Sequence, residues 1–405
     1  MYIYIFLVWI ASLFGHRKAR LLLQGQRKAT DELRLRLFHM PKSKERIWIH
    51  VSSVGEFEQA RPIIERLRKE KPGVQIILTF FSPSGYTLRK DYDKVDAVSY
   101  LPFATRRKAR MFVDVVNPSM AIFVKYEFWP AYLRELKRRG VKTYSISAIF
   151  REKQLFFRWW GKPYLNLLRS FTAIYVQDGS SARLLQSHGI EHVEVAGDTR
   201  FDRVHAIAQQ AKDIPQIARF ASSCDKMIIA GSTWLPDEKL LSRYVDETPD
   251  VKLVIAPHEI HEAHLHEMFQ LFEGRYVRLT QATVNNLDVT RVLVVDTIGI
   301  LSSIYRYGQV AYIGGGFGVG IHNTIEAAVF GMPVLFGPNY TNYREACALT
   351  EAGGARSVKN YREFKAAMDE AFADHEAMGK KASDYVVSEL GATDKIYEAL
   401  FGKQR

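Results

Sequence analysis

Short apolar runs rich in β-branched residues punctuate this chain, at 47–52, 74–80, 120–124, 143–147 and 173–176, and again at 227–230, 251–256, 292–295, 310–313 and 333–336. They are hydrophobic at successive rather than alternate positions, so a strand built from any of them needs cover on both faces. Longer amphipathic segments such as 57–69 and 130–139 lie between them, each closing near a Gly or Pro. Strand and helix in this alternation predict βαβ units and a doubly wound α/β fold with parallel sheets. At 405 residues the chain can bury two such cores.

The alternation breaks at about 202–226, in a polar stretch rich in Ala and Gln, and the charge changes sign there. Residues 1–220 carry 38 Lys and Arg against 20 Asp and Glu; the rest carry 18 against 24. The predicted organisation is a segment 1–28, a domain 29–210 and a domain 211–405, with the last helix free to pack back on the first domain. Two doubly wound domains facing one another put the carboxyl ends of both sheets at a shared central cleft. A half-molecule this positive attracts an anionic partner, such as a phosphorylated lipid, a membrane surface or nucleic acid; the bland alternative is a solvated cationic surface. Cys224 and Cys347 are far apart and lack ligand-like spacing, so neither a disulfide framework nor a zinc ribbon is expected.

The N-terminal run YIYIFLVWIASLF, residues 2–14, is uncharged and is followed by Arg17, Lys18, Arg20, Arg27 and Lys28. It does not resemble a signal peptide, having no basic residue ahead of it and no small-residue cleavage site after it. As a helix it spans roughly 20 Å against roughly 30 Å of hydrocarbon, which predicts partial insertion rather than crossing. Tyr4 and Trp9 suit the interface and the basic cluster suits anionic headgroups of the cytoplasmic leaflet, with the body of the protein in the cytoplasm. The alternative is a helix buried on its own domain.

Three segments carry candidate chemistry. In IWIHVSSVGEFEQAR, residues 47–61, a strand meets a turn at Gly55 and a helix starting with Glu56. A carboxylate there can take the proton of an acceptor hydroxyl, as single-displacement inversion requires. The competing explanation is the helix dipole, which favours an acid in the first turn and also lowers its pKa. In VKYEFWPAY, residues 124–132, Glu127 follows a strand and precedes Trp129 and Pro130; it either holds an acceptor or supports Glu56, or belongs to an ordinary capped helix. In VAYIGGGFGVGIHNTIEAAVF, residues 310–330, a strand runs into a Gly-rich loop containing Gly315 and Gly316 and then into a helix capped by Asn323. Backbone N–H groups in such a loop can meet a phosphate. Glu326 is either a ribose contact or part of a capping arrangement.

Two further segments have both a chemical and a structural reading. PHEIHEAHLHE, residues 257–267, lacks the H-E-x-x-H spacing of a zinc helix; His258 is placed to approach a phosphate, and the later histidines are expected on a solvated helix. Aromatic and basic residues interleave at 155–169, which suits either a bilayer interface or core packing. No nucleic-acid-binding module accompanies them, so no nucleic-acid partner is expected.

Six motifs in order make the chain similar to the 3-deoxy-D-manno-octulosonic acid (Kdo) transferases of lipopolysaccharide assembly. They are HVSSVGE at 50–56, TFFSPSG at 79–85, EFWP at 127–130, RFD at 200–202, DTIG at 296–299 and GIHNTIEAA ending at Ala328. The resemblance implies a GT-B glycosyltransferase, in which two Rossmann-like domains use CMP-Kdo as donor and a lipid A precursor as acceptor, inverting the anomeric carbon with no metal or cofactor. It implies Glu56 as base, Glu127 as a second important carboxylate, and Ser53, Gly55, Ser84 and Gly85 on the acceptor side. On the donor side it implies Ser232, Thr233, Ile298, Gly299, Asn323 and Glu326, and the residues themselves add Arg200, His258, Gly315 and Gly316 as candidates. The implied location is the cytoplasmic face of the inner membrane.

The chain departs from its relatives in having Pro257-His258-Glu259 where Pro-Arg-His is common, Arg200 for Lys, and Ile300 for Glu. Arg200 or helix N–H groups are expected to cover the donor phosphate in place of the missing Arg. Two rival readings share much of this pattern: a GT-B enzyme using a UDP-sugar on a lipid acceptor, and a non-catalytic bilobal protein that binds anionic lipid.

Overall fold

The computed structural model describes residues 2–41 and 45–402. The chain divides into two compact units, Met1–Arg203 with Leu390–Arg405, and Val204–Glu389. Each is built on a parallel sheet of seven strands.

In the first unit the strands are β1 (Arg46–Val51), β2 (Gln75–Phe80), β3 (Ala97–Tyr100), β4 (Met120–Val124), β5 (Lys142–Ala148), β6 (Ala173–Val176) and β7 (Val193–Val195), in the order 3-2-1-4-5-6-7. Successive residues of β1 enter different cores. Trp48 packs with Ile77, Phe112 and Phe123 on one face, while Ile47, Ile49 and Val51 pack with Ile76, Leu78 and Ile122 on the other. That double burial is why the run is apolar throughout.

The second unit repeats the plan with β8 (Lys226–Thr233), β9 (Val251–Pro257), β10 (Tyr276–Arg278), β11 (Val292–Val294), β12 (Val310–Ile313), β13 (Val334–Phe336) and β14 (Ala355–Ser357), in the order 10-11-9-8-12-13-14. All the expected runs are strands. The four that the sequence pattern did not reveal, β3, β7, β10 and β14, are the four sheet edges. An edge strand has one neighbour and less burial, so VEV, YVR and ARS carry too few apolar residues to stand out.

The polar stretch where the alternation breaks is helical, forming Thr199–Gln209 and Pro215–Ser222. Its apolar residues are few but buried, Phe201, Ile217 and Phe220 among them. The division between units follows Arg203, inside the first of these helices. The helix Ala392–Phe401 belongs to the first unit, where Ile396, Tyr397, Leu400 and Phe401 join the core around Ile47 and Ile49. Asp202 fixes its start by accepting hydrogen bonds from the N–H groups of Gly391 at 2.7 Å and Thr393 at 2.6 Å.

At the N-terminus the helices Tyr2–Leu13 and Arg17–Phe38 pack together, and the second sets Ala29 and Leu33 into the first unit. Phe6, Leu7, Trp9, Leu13 and Phe14 are exposed. Among the described residues no helix is long and apolar enough to cross a membrane.

Candidate functional site

Strand order fixes where a ligand can enter. In the first sheet the chain leaves β1 to build β2 and β3 on one side and β4 onward on the other; in the second it does the same around β8, with β9 on one side and β12 on the other. The crevice beyond the carboxyl ends of two such strands is the usual binding place of a doubly wound sheet. Glu56 follows β1, Glu127 follows β4, Ser232 and Thr233 end β8, and Gly315 and Gly316 follow β12. The sequence candidates thus gather at the switch points of both sheets.

Glu56 opens the helix Val54–Glu70 in a capping box: Ser53 Oγ accepts from the Glu56 N–H at 3.4 Å, and Glu56 Oε2 accepts from the N–H groups of Ser52 and Ser53. The structural explanation of this acid is therefore real. It does not exclude the chemical one. Glu56 is half-buried, and its pKa is pushed up to about 7, first by desolvation and then by the charge on Glu127; the two N–H bonds and the Lys125 cation pull the other way without winning. Burial thus overcomes the helix start, and the group can gain and lose a proton near neutrality.

Glu127 is itself only 8% exposed and is held through one oxygen, which lies 3.1 Å from His50 Nε2 and accepts from Trp129 Nε1 at 2.6 Å. His50 is fully buried on β1, with Nδ1 2.9 Å from Thr79 Oγ1 on β2, and Thr79 accepts from Trp48 Nε1 at 2.8 Å. A chain of polar contacts spanning β2, β1 and β4 therefore sets the position of Glu127. His50 was not singled out as a site residue because its role depends on cross-strand neighbours. Lys125, between β4 and Glu127, has left-handed backbone (φ 62°), uncommon for a non-glycine residue.

Glu127 and Trp129 line a cavity of about 870 Å3 in the first unit, together with Arg106, Arg134, Tyr164 and Leu167. Two guanidinium groups beside aromatic and aliphatic walls suit an amphiphile with an anionic head. The aromatic–basic segment that follows β5 divides in two. Phe156 and Phe157 pack on Phe128 and Phe150, whereas Trp159 is 83% exposed and Trp160 and Tyr164 are partly so.

The other acceptor-side candidates surround the β1 turn. Gly55 is exposed at the helix start, and Ser84 Oγ is 2.7 Å from Ser82 Oγ. Gly85 is buried under Phe80: a Cβ there would lie 2.7 Å from that ring and 3.5 Å from the Ser53 carbonyl carbon, so its absence lets the helix Pro83–Arg89 approach.

In the second unit Asp237 organises the loops. Its Oδ2 accepts from the N–H groups of Gly315 at 2.9 Å and Trp234 at 3.0 Å, and its Oδ1 from the Tyr312 hydroxyl at 2.7 Å. The Gly315 N–H, expected to face a phosphate, is committed to this carboxylate. A Cβ on Gly316 would fall 2.6 Å from the Gly337 nitrogen, so the loop after β12 is pressed against the loop after β13. Thr233 is fully buried and donates its hydroxyl to Glu238 at 3.0 Å, while Ser232 has left-handed backbone (φ 54°).

Asn323 is not the helix cap. The helix is Ile325–Ala328, preceded by Thr324 at the cap position without a side-chain bond, and the Asn323 amide donates to Glu326 at 2.8 Å. His258 is exposed at the end of β9 and stacks on His322, rings 4.2 Å apart; desolvation and that neighbour lower the His322 pKa to about 4. The later histidines are not all solvated, since His264 is buried against Glu238 at 2.9 Å. Among the described residues no group of His, Cys, Asp and Glu is arranged to hold a metal ion. Ile298 is 84% exposed, beside Gly299 at φ 91°. Arg200 belongs to the first unit, where its guanidinium grips buried Asp198 at 2.8–2.9 Å.

Two Rossmann-like units, each with candidate residues at the switch point of a parallel sheet, define a protein of the GT-B class. Solved structures share this fold: UDP-GlcNAc 2-epimerase from Neisseria meningitidis bound to UDP-GlcNAc (TM-score 0.62, 15% identity, 88% of this chain and 99% of that one) and a glycosyltransferase from Rickettsia africae (TM-score 0.56, 12% identity, 90% and 100%). The sequence model of the 3-deoxy-D-manno-octulosonic-acid transferases (kdotransferases) matches residues 31–203. The transferase of that name from Aquifex aeolicus is 26% identical over 79% of this chain and 84% of its own length, and that from Haemophilus influenzae is 23% identical over 87% and 86%. Over most of its length the chain is similar to the Kdo transferases.

Proposed function

We propose that this protein transfers Kdo from CMP-Kdo to a hydroxyl of a lipid A precursor, with inversion, at the cytoplasmic face of the inner membrane. The observation that carries the reading is the Glu56 carboxyl at the end of β1, with a pKa of about 7 beside Glu127. In the reaction the acceptor oxygen attacks the anomeric carbon while Glu56 takes the hydroxyl proton. The bond from that carbon to the phosphate oxygen breaks, and CMP leaves with the electron pair.

The first unit holds the acceptor. The cavity beside Glu127 offers Arg106 and Arg134 to lipid phosphates and aromatic surface to acyl chains, with Ser53, Gly55, Ser84 and Gly85 shaping the turn around the base. The second unit holds CMP at the end of β8 and at the loops that follow β9, β11 and β12, where Ser232, His258, Ile298, Gly299, Asn323 and Glu326 are its contacts. The helix Tyr2–Leu13, with its exposed Trp9 and Phe6, lies in the membrane interface, and Trp159 and Trp160 form a second anchor.

Mass spectrometry of lipid A precursor incubated with the protein and CMP-Kdo generated in situ tests donor and acceptor together. The expected product is heavier by whole Kdo units. A product formed only from a UDP-sugar, or binding of lipid with no product from any donor, rejects the proposal.

A further inference from the structure

A second cavity in the first unit, of about 350 Å3, is bordered by the helices Tyr2–Leu13 and Arg17–Phe38 and by the start of the helix Arg106–Val116. Its wall has two characters. Trp9 and Phe103 are aromatic; Arg20, Arg27 and Lys108 are cationic, and among the described residues no carboxylate lines it. The third element is Gln26, which lines the cavity although the residue is only 3% exposed, and neither its amide nitrogen nor its amide oxygen has a partner among the described residues. A buried amide open at both ends is a defect in a closed core, and a binding group where a ligand completes it. Desolvation also lowers the Lys108 pKa, an effect that a bound anion would reverse.

We propose that this cavity binds the headgroup of an anionic membrane phospholipid. Arg20, Arg27 and Lys108 surround the phosphate, Gln26 bonds the glycerol or ester oxygens, and Trp9 and Phe103 flank the first acyl carbons. The site is separate from the cavity beside Glu127, but one segment walls both: Phe103 and Lys108 face this one, and Ala104, Thr105 and Arg106 face the other. An occupied headgroup site therefore braces the turn that carries Arg106 toward the acceptor. The inference rests on the proposed membrane location and is independent of the transfer chemistry.

Calorimetric titration of the full-length protein with dihexanoyl phosphatidylglycerol below its critical micelle concentration tests it, with dihexanoyl phosphatidylcholine and inorganic phosphate as comparison probes. Phosphatidylglycerol should bind saturably and about ten-fold more tightly than either. The double variant Arg20→Gln/Arg27→Gln and the single variant Gln26→Leu should weaken it, Arg20→Lys/Arg27→Lys should retain it, and CMP affinity should stay unchanged throughout as evidence of an intact fold. Equal affinity for phosphatidylcholine or for inorganic phosphate, or undiminished binding by folded Arg20→Gln/Arg27→Gln and Gln26→Leu proteins, overturns the proposal. No donor or turnover enters the measurement, so its failure and that of the transferase reading are distinguishable.

Discussion

Glu56 and Glu127 follow adjacent strands, β1 and β4, and the charge of the second helps hold the carboxyl of the first at a pKa of about 7. Their difference in environment divides the labour. Glu56 keeps two backbone N–H partners and can still exchange a proton near neutrality, whereas Glu127 is fastened by Trp129 and lies against His50.

The pH dependence of transfer follows from that pairing. A base must be ionised to act, so kcat/KM should rise with pH through a midpoint near 7 and level off above it. Glu127→Gln removes the second contribution to the elevated pKa, so the midpoint should move to lower pH whatever happens to the maximum rate. A midpoint that stays in place or rises would show that Glu56 does not feel Glu127.

Stability should carry the same signature. The Glu56 pKa is raised in the folded state from an ordinary 4.5 to about 7, so its stabilising contribution is complete below about pH 4.5 and is lost as pH rises through 7. Glu56→Gln escapes that loss. Its stability relative to the wild type should improve by on the order of 2–3 kcal/mol between pH 5 and pH 8 in urea denaturation. A difference independent of pH would contradict the burial of this carboxyl.

Asp202 separates structure from chemistry within one motif. Asp202→Ala deprives the start of the helix Ala392–Phe401 of its acceptor and should cost about 1–2 kcal/mol, with faster amide hydrogen exchange in that helix. CMP affinity should not change. Loss of CMP binding without destabilisation would assign the aspartate to the donor instead.

Much of this was legible in the residues, and the gaps have physical reasons. Inner strands announce themselves because both of their faces are buried, whereas β7 and β10 at the edges carry polar residues where neighbours are lacking. The capping box of Glu56 was open to view in the spacing of Ser53 and Glu56, three apart before an apolar run. The elevated pKa was not, since it depends on burial and on a carboxylate 71 positions away in the chain. His50 and Asp237 were hidden for a related cause: a buried polar residue shows its purpose only when its partners on other elements are known. The charge of Arg200 can be read from the sequence, whereas its pairing with the buried Asp198 cannot.

Removal of the acceptor proton by Glu56 is tested by single-turnover transfer from CMP-Kdo to lipid A precursor in wild type and Glu56→Gln, with CMP affinity measured alongside. The variant should lose about 10²–10⁴-fold in rate while its CMP affinity stays within about two-fold. Transfer by Glu56→Gln at close to the wild-type rate would contradict it.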